Sequence, residues 1–253
     1  VLTVEQLIYG MLLPSGNDAA RVLAAAAGKA IQNDPNLSDV DAIAAFVAEM
    51  NVQAAALGMT GSHFVTPDGW HTSDHYTTMA DLLTLAQLCL EDPLILKVVK
   101  APLYAANFSG RTVYWKNSNM HLKEDSPFYQ PDCIGLKTGY TKAAGRILVS
   151  SAVRQGRRLI CVTINAPDDW NDHAALLEQG FRDYSSCQIL MAGQQVGTAL
   201  VAGGQAGQVA LLAGEDFSYA LADREKVTLE LPGAGFVYAP VAEGEVAGIA
   251  HVL

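Results

Sequence analysis

The chain has 253 residues, half of them hydrophobic and 17% charged, a composition ordinary for a globular protein with a sizeable core. Its formal net charge of -10 sets nucleic-acid binding aside, because such binders present a basic face. No apolar run reaches the ~18 residues that cross a membrane, and a prior of roughly 100–200 residues per domain leaves room for one large domain with or without a small one.

In chain order, Thr3-Val-Glu-Gln6 reads as a capping box feeding the apolar run Leu7, Ile8, Met11 and Leu12. The sequence enters this helix directly from Val1. That abrupt start raises the expectation that a true N-terminus and any export signal lie upstream. Residues 18–31 are Ala-rich and made of good helix formers. Residues 39–57 place Val40, Ile43, Ala44, Val47 and Met50 at a helical period and stop at Gly58. A turn centred on Thr66-Pro-Asp-Gly69 follows. A helix is then predicted over 78–90, broken before Pro93, so residues 1–105 read as mostly helical.

From about Val113 the texture becomes that of strands. Segments 132–138, 146–154 and 157–165 are short, apolar and β-branched, with Gln155-Gly156 as a tight hairpin between the last two. Residues 170–184 predict an amphipathic helix burying Trp170, Ala174, Leu177 and Phe181. Residues 187–253 hold short Val, Leu and Ala runs cut by glycines, which predicts a small all-β domain. The division is therefore placed at 1–185 and 186–253, with an α/β (α+β) main domain.

Several local patterns carry little. Cys89, Cys133, Cys161 and Cys187 show no C-x-x-C spacing and no neighbouring histidine, which argues against zinc; Cys161, inside an apolar run, reads as a small buried hydrophobe. His71 and His75 have helical metal-site spacing, but Gly69, Thr72 and Ser73 make that stretch a loop, so no metal is expected there. Asn107-Phe-Ser109 fits a glycosylation sequon on three residues only.

Two short strings carry chemistry: Ser15-Gly16-Asn17 and Lys137-Thr138-Gly139. Each alone is weak. Ser15 and Asn17 also read as a turn with a helix N-cap, and Lys137 as a solvated strand end before a turn. Their surroundings decide the matter. Residues 2–20 (LTVEQLIYGMLLPSGNDAA) and 134–145 (IGLKTGYTKAAG) together resemble the low-molecular-mass penicillin-binding proteins that act as serine D-alanyl-D-alanine carboxypeptidases. Residues 57–68, 75–86 and 117–122 are similar to further segments of that family, and 187–249 to its C-terminal β domain.

The resemblance implies an antiparallel sheet flanked by helices, in a β-lactamase/transpeptidase-like domain, followed by the small β domain. It implies removal of the terminal D-alanine from peptidoglycan stem peptides through an acyl-enzyme, and inhibition by β-lactams. Such chemistry needs a nucleophile with a base, a proton donor for the leaving amine and donors for the oxyanion. The implied roles are specific. Ser15 relays a proton to the leaving amine. Asn17 bonds the substrate backbone, and Lys137 supplies positive potential. Thr138 donates to the substrate carboxylate, while Gly139 leaves room for the substrate strand. The N–H of Tyr140 is one oxyanion donor. No cofactor is implied, and the location is outside the cytoplasmic membrane.

One family element is absent. No serine in the sequence has a lysine three positions later, so the Ser-x-x-Lys nucleophile motif does not occur. In the family that motif precedes the segment with which this chain opens. The expectation is therefore an N-terminally truncated enzyme, inactive alone, with residues 157–165 exposing an unpaired edge. A separate N-terminal segment or a second copy is expected to complete the core. Any amphipathic C-terminal membrane anchor is expected to be missing too. The competing readings are a related β-lactamase or endopeptidase, and a non-catalytic wall-binding scaffold.

Overall fold

The computed structural model describes residues 2–108, 110–233 and 235–253. The serine of the sequon, Ser109, lies outside them. Two compact units emerge, residues Val1–Gln179 and Gly180–Leu253.

The first unit begins with α1 (Val4–Leu12), whose capping box is fully formed. The Gln6 N–H donates to Thr3 Oγ1 at 3.1 Å, and the Thr3 N–H donates to Gln6 Oε1 at 2.9 Å. Helix α2 (Asn17–Ile31) packs along α3 (Asp39–Ala56) through alanines; Ala24 and Ala42 are fully buried. The axes approach so closely at Gly28 that a Cβ there would collide with the Ala42 carbonyl. Helix α4 (Met79–Glu91) is capped by the Thr78 hydroxyl, which accepts from the Asp81 N–H.

Helix α4 ends at Glu91, before Pro93, as expected. Pro93 then opens a further helix, α5 (Pro93–Val99), at the first position, where its missing N–H is not needed. The Asp92 carboxylate caps that helix by accepting from Leu94 and Ile95 at 2.8 Å each. One local expectation requires correction: strand structure begins earlier than Val113. Strand β1 (Leu103–Phe108) pairs antiparallel with β2 (Arg111–Lys116). Aromatic stacking explains why: Tyr104 lies 3.7 Å from Tyr9 and 6.0 Å from Trp115, ring centre to ring centre.

The central sheet is β3 (Cys133–Thr141), β4 (Gly145–Arg154) and β5 (Arg157–Ile164), antiparallel in that order. Adjacent residues on a strand face opposite sides, and the two faces differ. Val149 and its partner Val162 pack with Ala86, Leu90 and Val99 of α4 and α5. Ser150 and Thr163 face α6 (Asp169–Asp183), where the fully buried His173 ring meets both. Its Nδ1 lies 2.5 Å from Ser150 Oγ and its Nε2 3.0 Å from Thr163 Oγ1. Arg146, on the same face as Ser150, is held by a two-pronged bond to Asp169 at 3.0 and 2.7 Å and stacks over Trp170. Among the described residues β5 pairs with β4 alone.

Burial lowers the His173 pKa to about 4, with His121 nearby adding to the shift. The neutral ring is the folded form, so the unfolded chain binds a proton first as pH falls below the ordinary histidine value near 6.5. Stability is therefore full above about 6.5 and declines between there and about 4. His173→Asn is expected to flatten that slope, read as melting temperature at pH 7 and pH 5; an unchanged slope refutes the assignment.

The second unit is all strand after the end of α6. Strand β6 (Tyr184–Leu190) pairs with β9 (Phe217–Ala222). Strands β7 (Gln195–Ala202) and β8 (Gln208–Leu212) form a three-stranded sheet with β11 (Phe236–Tyr238), and β10 (Leu229–Glu230) pairs with β12 (His251–Val252). Its core is small: Ala199 and Leu211, packed by Val196, Val209, Leu231 and Val237.

Candidate active site

The loop between α1 and α2 carries the first motif. Leu13 is fully buried and anchors it. The Gly16 N–H donates to the Gly10 carbonyl at 3.1 Å, folding the loop under α1. A Cβ at Gly16 would stand 2.6 Å from that carbonyl oxygen, so only glycine fits. Ser15 takes a φ of +58°, a conformation that costs a non-glycine residue on the order of 1–3 kcal/mol and clusters at functional sites. Asn17 is the first residue of α2 and is exposed. Neither side chain caps that helix: the N-cap is Gly16, without a side-chain bond. The capping role read for Ser15 and Asn17 is corrected accordingly.

The second motif lies within β3, not at its end, because the strand continues to Thr141. Pairing with β4 through Tyr140↔Arg146 and Thr141↔Gly145 holds it extended beyond Gly139. Among the described residues the other edge of β3 is unpaired.

Ser15 and Lys137 meet, although 122 positions separate them: the Lys137 ammonium donates to Ser15 Oγ. It also donates to the Thr138 carbonyl at 2.7 Å. Lys137 is half-buried, and desolvation alone lowers its pKa to about 8. The Thr138 hydroxyl is 2.6 Å from Ser118 Oγ. Gly139 is exposed, and a Cβ there would meet nothing closer than Ile147 at 3.6 Å. Its own neighbours do not demand glycine. Tyr140 is 70% exposed, so its ring packs little.

One participant was not singled out in the sequence. Ser118 bonds both walls: its N–H donates to the Leu13 carbonyl at 2.9 Å, and its hydroxyl meets Thr138. A serine between two asparagines gives no sign of this. Together these groups form an open strand edge beside a half-buried cation, three hydroxyls and one exposed amide. That set suits an extended peptide ending in a carboxylate.

Antiparallel strands between helices, with a Ser-x-Asn loop bonded to a Lys-Thr-Gly strand, define a fold of the DD-peptidase and penicillin-binding class. The profile of the D-alanyl-D-alanine carboxypeptidase family matches residues 1–168, and the chain belongs to that family. It is 32% identical over 188 residues to D-alanyl-D-alanine carboxypeptidase DacB2 of Mycobacterium tuberculosis, covering 71% of this chain and 58% of that protein. A Streptomyces D-alanyl-D-alanine carboxypeptidase is 31% identical over 189 residues, covering 71% of this chain and 61% of the relative. The chain thus spans about three-fifths of the length of these relatives. Among solved structures, penicillin binding protein 5 from Haemophilus influenzae aligns with TM-score 0.74 and 26% identity over 100% of this chain and 70% of its own. The Streptomyces DD-transpeptidase aligns with TM-score 0.65 and 31% identity over 72% of this chain and 68% of its own.

Proposed function

We propose that the protein is an extracytoplasmic serine D-Ala-D-Ala carboxypeptidase, and that this chain supplies the recognition side of its active site. The observation that carries the reading is the contact of the half-buried Lys137 ammonium with Ser15 Oγ across 122 positions. A desolvated cation that meets no carboxylate among the described residues is favourable only where an anion or a developing charge will answer it.

The roles follow from this geometry. The stem peptide lies along the open edge of β3 beside Gly139. Its terminal carboxylate meets Lys137 and the Thr138 hydroxyl. The Asn17 amide, which can donate and accept, holds the penultimate peptide unit. Ser15, hydrogen-bonded to an ammonium, is placed to pass a proton to the departing D-alanine amine. The Tyr140 N–H faces the carbonyl under attack as one oxyanion donor. β-Lactams, which carry a carboxylate next to a strained amide, occupy the same groups. The sequence holds no Ser-x-x-Lys, so the nucleophile and its base lie outside the motifs carried here. The unpaired edge of β5 supports a partner strand supplied by another segment or a second copy.

Fluorescent penicillin, read on a denaturing gel beside intact masses, tests this. With the protein as its gene encodes it, one covalent label is expected per molecule, together with release of D-alanine from a D-Ala-D-Ala peptide. With the 26.9 kDa chain alone, no label is expected. Label on the isolated chain refutes the division of roles. Absence of label and of D-alanine release in the gene-encoded protein refutes the enzyme and favours a scaffold.

A further inference from the structure

We propose that Ser118 is a positioning residue of this site. Its hydroxyl fixes the direction in which Thr138 donates to the terminal carboxylate of the bound peptide. The proposal rests on the carboxypeptidase reading above.

The argument starts from the pair of hydroxyls at 2.6 Å. A hydroxyl has one proton and two acceptor lone pairs. Only one proton can lie between the two oxygens. If Thr138 donates to Ser118, its proton is used and the site shows a lone pair to an arriving anion. If Ser118 donates to Thr138, the Thr138 proton is left for the carboxylate. Only the second arrangement lets Thr138 itself donate to the anion, and it is polarised further because the acceptor is itself donating to a charge. Without the Ser118 proton, Thr138 keeps its hydroxyl but loses its orientation.

The surroundings of Ser118 separate this role from a structural one. Its flanking residues, Asn117 and Asn119, are 2% and 0% exposed and fasten the loop through their own side chains. Asn117 Nδ2 donates to the Val99 carbonyl at 3.1 Å and the Ala101 carbonyl at 3.0 Å, and Asn117 Oδ1 accepts from the Asn119 N–H at 2.9 Å. Asn119 Oδ1 accepts from the His121 N–H at 3.0 Å. The Ser118 backbone is tied to Leu13, two residues before Ser15. None of these bonds uses the Ser118 hydroxyl. The side chain is half-buried and turned to the Thr138 hydroxyl, one of the groups of this strand assigned to the ligand. Ser118 therefore ties the serine loop to the Lys-Thr-Gly strand through its backbone and orients the donor through its side chain.

The test compares acylation of the gene-encoded protein by benzylpenicillin, which has a free carboxylate, with acylation by its methyl ester, which does not. Rates are read by intact mass. Ser118→Ala is expected to slow the free acid about tenfold, the scale of one hydrogen bond to a charged group, and the ester less than twofold. Ser118→Thr, which keeps a hydroxyl, is expected to restore the acid rate to within about threefold of the starting protein. Should Ser118→Ala lose its melting transition, Ser118→Cys, with a weak donor of similar size, is expected to show the same selective loss. Equal slowing of both compounds, or no slowing of either, overturns the proposal while leaving the carboxypeptidase reading in place. A starting protein that reacts with neither compound overturns that reading, and this proposal with it.

Discussion

Lys137→Met in the gene-encoded protein is expected to slow acylation by penicillin and release of D-alanine by about 10²–10³-fold, comparable to removing one preorganised donor from a water-poor site. The substitution keeps an unbranched apolar stem of nearly the same length and removes the ammonium, its charge and its N–H donors together. In its absence Ser15 loses its ammonium partner and the substrate carboxylate loses its counter-charge. Folding is expected to respond in the opposite direction. The folded pKa is lowered to about 8 by burial, while the unfolded lysine titrates near its ordinary value of about 10.4. Between those values the unfolded chain holds the proton and the folded chain does not, so the contribution of Lys137 to stability rises with pH across that window. At neutral pH the buried charge opposes folding, and Lys137→Met is expected to hold or raise the melting temperature while slowing the reaction. Recognition of the carboxylate is expected to weaken as pH rises through about 8, because the ammonium is then lost. Acylation within threefold of the starting protein, or a rate independent of pH between 7 and 9, refutes the role given to Lys137.

Gly28→Ala is expected to destabilise the first unit by about 1–3 kcal/mol, the range for overpacking a closed interior. Helix propensity alone predicts the reverse, since alanine in a helix interior is favoured over glycine by up to ~1 kcal/mol. Packing wins here because the new Cβ would fall inside the contact distance of the Ala42 carbonyl oxygen, a backbone atom that no rotamer change can move. The two helices must separate, opening the interface in which Ala24 and Ala42 are fully buried. A fall of several degrees in melting temperature is the expected readout, at about 2–4 °C per kcal/mol for a chain near this size. An unchanged or higher value refutes the close approach. Helix α2 also begins at Asn17, so a displaced α2 carries the candidate substrate amide with it, and acylation is expected to slow as well.

The legible and illegible parts of this chain divide along a physical line. Helices α1 to α4 were readable because their caps and apolar periods are local: Thr3, Ser38 and Thr78 each bond a backbone N–H within three residues. Strand β4 and strand β5 were readable from β-branched runs around one tight turn. Helix α5 was missed although Asp92-Pro93 signals it, because the same proline also reads as a stop. Strand β1 was missed because its Ala105 and Ala106 are weak strand formers, and its stability comes from Tyr9, which lies far away in sequence. The candidate site was legible only as two strings. That Lys137 meets Ser15 and that Ser118 bonds both walls are tertiary facts, arising from groups separated by 20 to 122 positions, beyond any local pattern.

The span between Ser15 and Lys137 has a kinetic meaning. Closing so long a stretch of chain carries a large entropic cost that local helices and hairpins do not share. The helices around Ser15 and the hairpins around Lys137 can each form early, but neither alone presents an ammonium to a hydroxyl. A refolding chain therefore acquires its ligand-binding groups as a set, at the step that docks helices onto sheet. Ligand recognition is thereby a probe of native assembly, silent in any intermediate that has secondary structure alone.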